Sequence, residues 1–233
     1  MKKTIVVLSV CLLIYSCSSG DNENNQNVVI PTFTQGPNLT DIDGNIYQSV
    51  TNCTQTWMQS NLNVSHYRNG NIIPQVTDEN QWDNLTTGAW RYHSNNTVNG
   101  VIYGKLYNWY AVNDPRGIAP QGWHIPTLNE YNIFINCLGG ESIAGGAMKE
   151  VGTIHWMSPN TGATNSSGFT GLPGGARFTL EPDVNINKVG GWWSMTPFNT
   201  DNSYLMWITA FQPIAQITAS GNKAGFSVRC IKD

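Results

Sequence analysis

Charge is scarce in this chain: 12 Lys and Arg and 15 Asp and Glu among 233 residues give a formal net charge of −3. That composition supplies no basic field, which excludes nucleic acid as a partner, because such binding is driven by Lys and Arg neutralising phosphates. Long apolar runs are short supply as well. The stretch Thr4 to Ser16 is about 13 residues against the roughly 20 that span a bilayer, so it is not a transmembrane helix. The spacings H-E-x-x-H, C-x-x-C and G-x-S-x-G and a Walker loop are all missing, so neither a metal, a serine nucleophile nor a nucleotide phosphate is pre-placed by local sequence. Cysteines number five. Cys11 lies in the apolar stretch and Cys17 directly after it, leaving Cys53, Cys137 and Cys230 for at most one disulfide, whose pairing the sequence leaves open; the remaining thiol is expected to be a small buried hydrophobe.

What is present is first of all an export signal. Met1-Lys2-Lys3 is cationic, the apolar run follows, and Ser16 precedes Cys17, beyond which the chain turns polar and Asn-rich. The arrangement resembles a bacterial lipoprotein signal, in which Cys17 becomes the acylated first residue. It implies a cleaved segment at residues 1–16, attachment to a lipid bilayer through Cys17, and residence in the cell envelope, at the outer membrane and facing the cell surface. Residues 17–40 hold few large apolar groups and read as a flexible tether. One globular domain is expected over residues 41–233.

Within that domain, Asp43-Gly44 marks a hairpin turn, while the DxDGN string that invites a calcium loop has Asn52 where an EF-hand needs Glu. Tyr103, Leu106, Tyr107, Tyr110 and Ala111 recur at helical spacing and predict a helix. Thr127 and Glu130 form a T-x-x-E capping box ahead of Tyr131, Phe134, Ile135 and Leu138, with Gly139-Gly140 as the stop. A third helix is expected over 144–150. Strand-like runs follow at 168–178, 191–195, 204–211, 215–219 and 225–231, the last with Phe226, Val228 and Cys230 facing a core and Ser227, Arg229 and Ile231 facing away. The class is therefore α+β, mostly antiparallel strands with two to three helices and long Gly/Asn-rich loops.

Seven blocks occur in order: Asp43-Gly44-Asn45; Thr56-Trp57-Met58 with Asn61-Leu62; Tyr103 to Val112; Ala119 to Thr127; Gly168 to Gly175; Gly191-Trp192-Trp193-Ser194; and Ser227-Val228-Arg229-Cys230. Together they resemble the Fibrobacter succinogenes major paralogous domain family over about residues 41–233. The resemblance implies a secreted or lipid-anchored protein of the Bacteroidetes and Fibrobacter groups and assigns no molecular role. The G-W-H-x-P-T-x-x-E order is more distantly similar to a segment of the formylglycine-generating enzyme group. That similarity implies a C-type-lectin-like fold, but the paired catalytic cysteines of the group have no counterpart beside Cys230.

The candidate ligand-binding residues are Trp192, Trp193, Asp183 and Arg177. Neighbours in a strand face opposite ways, so one ring of the Trp pair is expected in the core and the other at the surface, where sugars stack. Glu181-Pro182-Asp183 resembles the triplets with which C-type lectins hold calcium and sugar, with Asn185 and Asn187 adding oxygens at alternate positions, so calcium is the one cofactor considered; no metal ligand set and no catalytic residue is assigned. The expectation is a non-catalytic, lipid-anchored domain that binds glycan or protein through its loops, with a glycan-processing or oxidative-modifying enzyme and a structural envelope component as alternatives.

Overall fold

The computed structural model describes residues 32–179 and 181–233; the signal and Cys17 lie outside that range. In chain order the described residues form β1 (Thr34–Gln35), β2 (Leu39–Thr40), β3 (Ile46–Tyr47), β4 (Ser49–Asn52), β5 (Gln55–Met58), α1 (Glu79–Asp83), β6 (Trp90–Arg91), α2 (Thr97–Tyr103), β7 (Leu106–Tyr107), α3 (Trp109–Val112) and β8 (Trp123–His124). There follow α4 (Leu128–Cys137), α5 (Glu141–Met148), β9 (Ala176–Phe178), β10 (Glu181–Val184), β11 (Val189–Pro197), β12 (Asn202–Thr209), β13 (Ala215–Gly221) and β14 (Ile231–Lys232). The strands pair antiparallel, in a five-stranded sheet ordered β1-β4-β5-β14-β8, a three-stranded sheet β11-β12-β13, and the ribbons β2-β3, β6-β7 and β9-β10. The class is mixed α and β with antiparallel sheets, with five α-helices among the described residues rather than two to three.

Helix α4 begins where its capping box placed it. The Thr127 side chain accepts from the Glu130 amide, and the Glu130 carboxylate accepts from the Thr127 amide, satisfying donors that a helix start leaves open. Its buried face is Tyr131, Phe134 and Ile135, with Leu138 just beyond. The disulfide joins Cys53, in the β4-β5 turn, to Cys137 at the end of α4, and Cys230 is the buried free thiol.

The helix expected through Tyr103–Ala111 is not there. Tyr103 ends α2, Gly104 follows at φ 75°, Leu106–Tyr107 pair with β6 as strand β7, and Asn108 caps the four-residue α3. Gly104 is what breaks the run: a left-handed backbone there is open to glycine, and a Cβ would stand 3.2 Å from both the Asn61 Cβ and the Leu62 carbonyl. The apolar spacing was real, but it reflects burial of a strand and a short helix in succession.

Residues 34–40 also depart from the tether expectation, because β1 pairs with β4 and β2 with β3. The run 225–231 departs in another way: all of Phe226 to Ile231 is buried, the charged Arg229 included. This segment threads between the sheets, meeting Tyr107, Trp192 and Arg177 through bridges at Phe226, Ser227 and Gly225, while the Leu62 and Met58 amides donate to the Val228 and Cys230 carbonyls. A strand covered on both faces has no solvent side.

Two apolar clusters flank β11. Trp193 belongs with Trp109, Tyr107, Leu205 and Phe226, and Trp192 with Trp57, Phe134, Phe169 and Met206. Gly191 lets them close, since a Cβ there would approach Phe226 to 2.8 Å and Trp207 to 3.0 Å. Between the clusters sits Asn61. Its Oδ1 accepts from Trp192 Nε1 at 2.7 Å and from Arg229 Nη2 at 2.9 Å, and its Nδ2 donates to the Tyr103 carbonyl at 2.8 Å and to Ser227 Oγ at 3.2 Å. Arg229 also donates to the Phe169 carbonyl and lies over the Phe169 ring at 4.0 Å.

Two lysines are buried in the same manner, without a carboxylate among their hydrogen-bond partners. Lys149 Nζ donates to the carbonyls of Thr161, Thr209 and Gln212, and Lys105 Nζ to the Asn63 carbonyl and Ser65 Oγ. Burial pushes both pKa values down to about 8.

Replacing Asn61 with Ala strips acceptors from a buried guanidinium and a buried indole, and urea titration should show a loss of roughly 3 kcal/mol or more. The lysines set an alkaline signature. Below about pH 8 both folded and unfolded chains hold these protons and the native state bears the full cost of burying the charge. Between about 8 and 10 the native state has released protons that the unfolded chain keeps, so stability rises with pH. Burial pushes Tyr47, Tyr107, Tyr131 and Cys230 the other way, so the stability they contribute is intact below their ordinary pKa values and drains once the unfolded chain ionises. The melting temperature should therefore climb from about pH 7.5 to 9.5 and fall above about 10.5, and Lys149→Met should reduce the climb.

Candidate functional site

Trp192 and Trp193 do point to opposite faces of β11, but both faces are covered and each ring is fully buried. Their indole donors are spent internally, on Asn61 Oδ1 and on the Tyr107 carbonyl at 2.8 Å. Neither offers a surface for a sugar ring, and the expectation that one of the pair reaches solvent is corrected by the clusters packed on either side.

Arg177 is also fully buried. Its Nη2 meets Glu79 Oε2 at 3.0 Å and its Nη1 meets Asp83 Oδ1. Arg91, buried beside it, bonds Glu79 Oε1 at 2.7 Å and Asp183 Oδ2 at 2.9 Å, and the Trp82 indole lies within 6 Å of both guanidiniums, at 5.9 and 5.5 Å. Asp183 thus serves as a counter-ion that ties β10 to β6. With Asn185 and Asn187 it shares left-handed backbone, φ 58°, 65° and 66°, a conformation Asp and Asn tolerate better than most residues. Removal of one partner of a buried ion pair leaves an uncompensated charge. Asp183→Ala should cost about 1–3 kcal/mol in thermal or urea unfolding, by the same amount with calcium as with chelator.

Three of the four histidines pair with carboxylates, and the fourth, His93, bonds the Val184 carbonyl and Ser94 Oγ. His66 Nδ1 meets Asp43 Oδ1 at 2.5 Å; His124 lies between Asp233 Oδ1 at 2.6 Å and Glu130 Oε1 at 2.8 Å; and His155 Nδ1 faces both Glu150 oxygens at 2.9 and 3.0 Å. Asp41, first of the DxDGN string, accepts from the amides of Asp43 and Asn45, from Asn45 Nδ2 and from the Tyr47 hydroxyl at 2.6 Å. Its oxygens are filled by the turn they organise. Among the described residues no group of three or more His, Cys, Asp or Glu is placed to hold a metal ion.

One open feature lies where the β2-β3 hairpin, the 60–63 segment and α2 converge. A groove of about 230 Å³ there is lined by Asn45, Ser60 and Asn63 together with Val101, Ile102 and Leu172. The Asn63 Oδ1 atom is buried without a hydrogen-bond partner, while the Asn63 carbonyl takes Lys105 Nζ at 2.6 Å. The rim is aliphatic and wet: Val101 is 85% exposed and Ile46 71%. Tyr103, whose ring contacts His155 edge-on at 5.9 Å, joins this rim to the loop that carries Ile154, 84% exposed, and Val151. A second cleft, about 260 Å³, opens by Thr40, Asp41, Ile42 and Arg68, but Arg68 is committed to the carbonyls of Ala119 and Trp123.

The groove was not legible as a site in the sequence. Its one signal is strand alternation in the hairpin, which buries Tyr47 and turns Ile46 outward. A family model, the Fibrobacter succinogenes major domain, matches residues 50–232. No curated protein and no solved structure matches the chain.

Proposed function

We propose, for a chain that belongs to the Fibrobacter succinogenes major domain family, the role of a non-catalytic binding module, tethered to a lipid layer of the cell envelope through an acylated Cys17 and docking a segment of another protein. The observation that carries this reading is the concentration of exposed aliphatic side chains around one amide-lined groove. Single exposed apolar residues are ordinary, but Ile46, Val101 and Ile102 rim one depression, with Ile154 across the Tyr103–His155 contact. Aliphatic rims with polar floors suit peptide side chains and backbone amides, whereas sugar stacking needs exposed ring faces, and the Trp pair is internal.

The non-catalytic part rests on commitment. Glu130 caps α4 and pairs with His124, Glu150 pairs with His155, and Asp183 neutralises Arg91, so each of these carboxylates already has an internal task. A C-type-lectin-like arrangement belongs to the same proposal, supported by the capped helix α4 packed against antiparallel strands and by β14 lying beside β5 and β8.

Random-peptide display and a glycan array, both against the purified protein, would test it. The expected result is a peptide ligand whose affinity falls at least about tenfold in Ile46→Glu and Val101→Glu, exposed positions where substitution leaves stability within about 0.5 kcal/mol. A glycan ligand, or a peptide indifferent to both variants, would overturn the assignment of this groove. Mass spectrometry of the protein from its native cells should find acyl chains on Cys17.

A further inference from the structure

Strand β13 stands at the edge of its sheet, with β12 as its only strand neighbour among the described residues. Its seven residues, Ala215–Gly221, pair with β12 in unbroken register, Ala215 opposite Ile208 through to Gly221 opposite Asn202, with no bulge to bend it away. Alternate backbone groups of such a strand point out of the sheet. Natural edges are usually blunted by charge, proline or a bulge, and Ala-Gln-Ile-Thr-Ala-Ser-Gly has none of these. Helices α4 and α5 pack on the face of β13 that carries Ala215 and Ile217, while Gln216, on the opposite face, is exposed and residues 217–221 are half-buried.

We infer that β13 pairs with β13 of a second copy of this chain, antiparallel and about a two-fold axis at Thr218, joining two three-stranded sheets into one of six strands. The register follows from geometry. Only residues of the same parity present backbone groups outward, so a self-pairing must centre on a residue, and Thr218 is the midpoint of the strand. Thr218 then faces Thr218, Ile217 faces Ala219 and Gln216 faces Ser220. Facing Thr residues form a favourable cross-strand pair, and no like charges meet anywhere along the seven residues, which is the condition a strand must satisfy to pair with itself. The groove by α2 plays no part in this contact, so the two readings fail separately.

Analytical ultracentrifugation of the full chain in detergent, over a concentration series, tests it with Thr218→Lys and Thr218→Glu. The parent should form dimers, and each variant alone should associate roughly a hundredfold or more weakly, because like charges would meet at the axis. An equimolar mixture of the two variants should recover dimer, which an unfolded variant cannot do. A parent that stays monomeric across the series, dimers that persist in both variants, or a mixture that stays monomeric would overturn the inference.

Discussion

The structure depends on one buried carboxamide. Asn61 answers four groups that would otherwise be stranded in apolar surroundings: the Arg229 guanidinium, the Trp192 indole, the Tyr103 carbonyl and the Ser227 hydroxyl. Those groups come from the late strands and from the end of α2, so a single side chain from the loop after β5 fixes how three distant stretches of chain meet. A polar atom in such a place is costly when unpaired and orienting when paired.

The same economy recurs elsewhere in the interior. Lys149 and Lys105 are solvated by backbone carbonyls and a hydroxyl in place of water, and Arg229 by a carbonyl, an amide oxygen and two ring faces. Arg91 and Arg177 are held by carboxylates across Trp82. In a chain with many turns and short strands, cations of this kind collect carbonyl groups that no sheet or helix satisfies. These five are a large share of the 12 Lys and Arg residues, so much of the cationic charge lies inside, while exposed aliphatic side chains, Ile46 and Val101 among them, rim one groove. The proposed docking role rests on that division between an ion-stabilised interior and an apolar rim at the surface.

Legibility in the sequence varied with the range of the interaction. The α4 capping box could be read because its bonds span three residues, and the Asp-Gly hairpin because its turn is made by its own backbone. Tyr103–Ala111 misled because periodicity reports which side chains are buried and not what buries them. Gly104, pressed against Asn61 and Leu62 from more than forty residues earlier in the chain, ends the helix there. For the Trp pair, alternation gave the opposed orientation, but a strand with a core on each side cannot be told from one with a solvent face until its neighbours are known.

The sequence by itself determined the family, the antiparallel character of a mixed α and β fold and the start of α4, since each is carried by neighbouring residues or by an ordered string of motifs. Tertiary structure alone decided that Cys53 pairs with Cys137, that Trp192, Trp193 and Arg177 lie inside, that Asp183 neutralises Arg91, and that a groove opens beside α2. The reason is physical. Each of these depends on which distant segment comes to lie against a residue, and burial, pairing and exposure belong to the contact between segments rather than to either one.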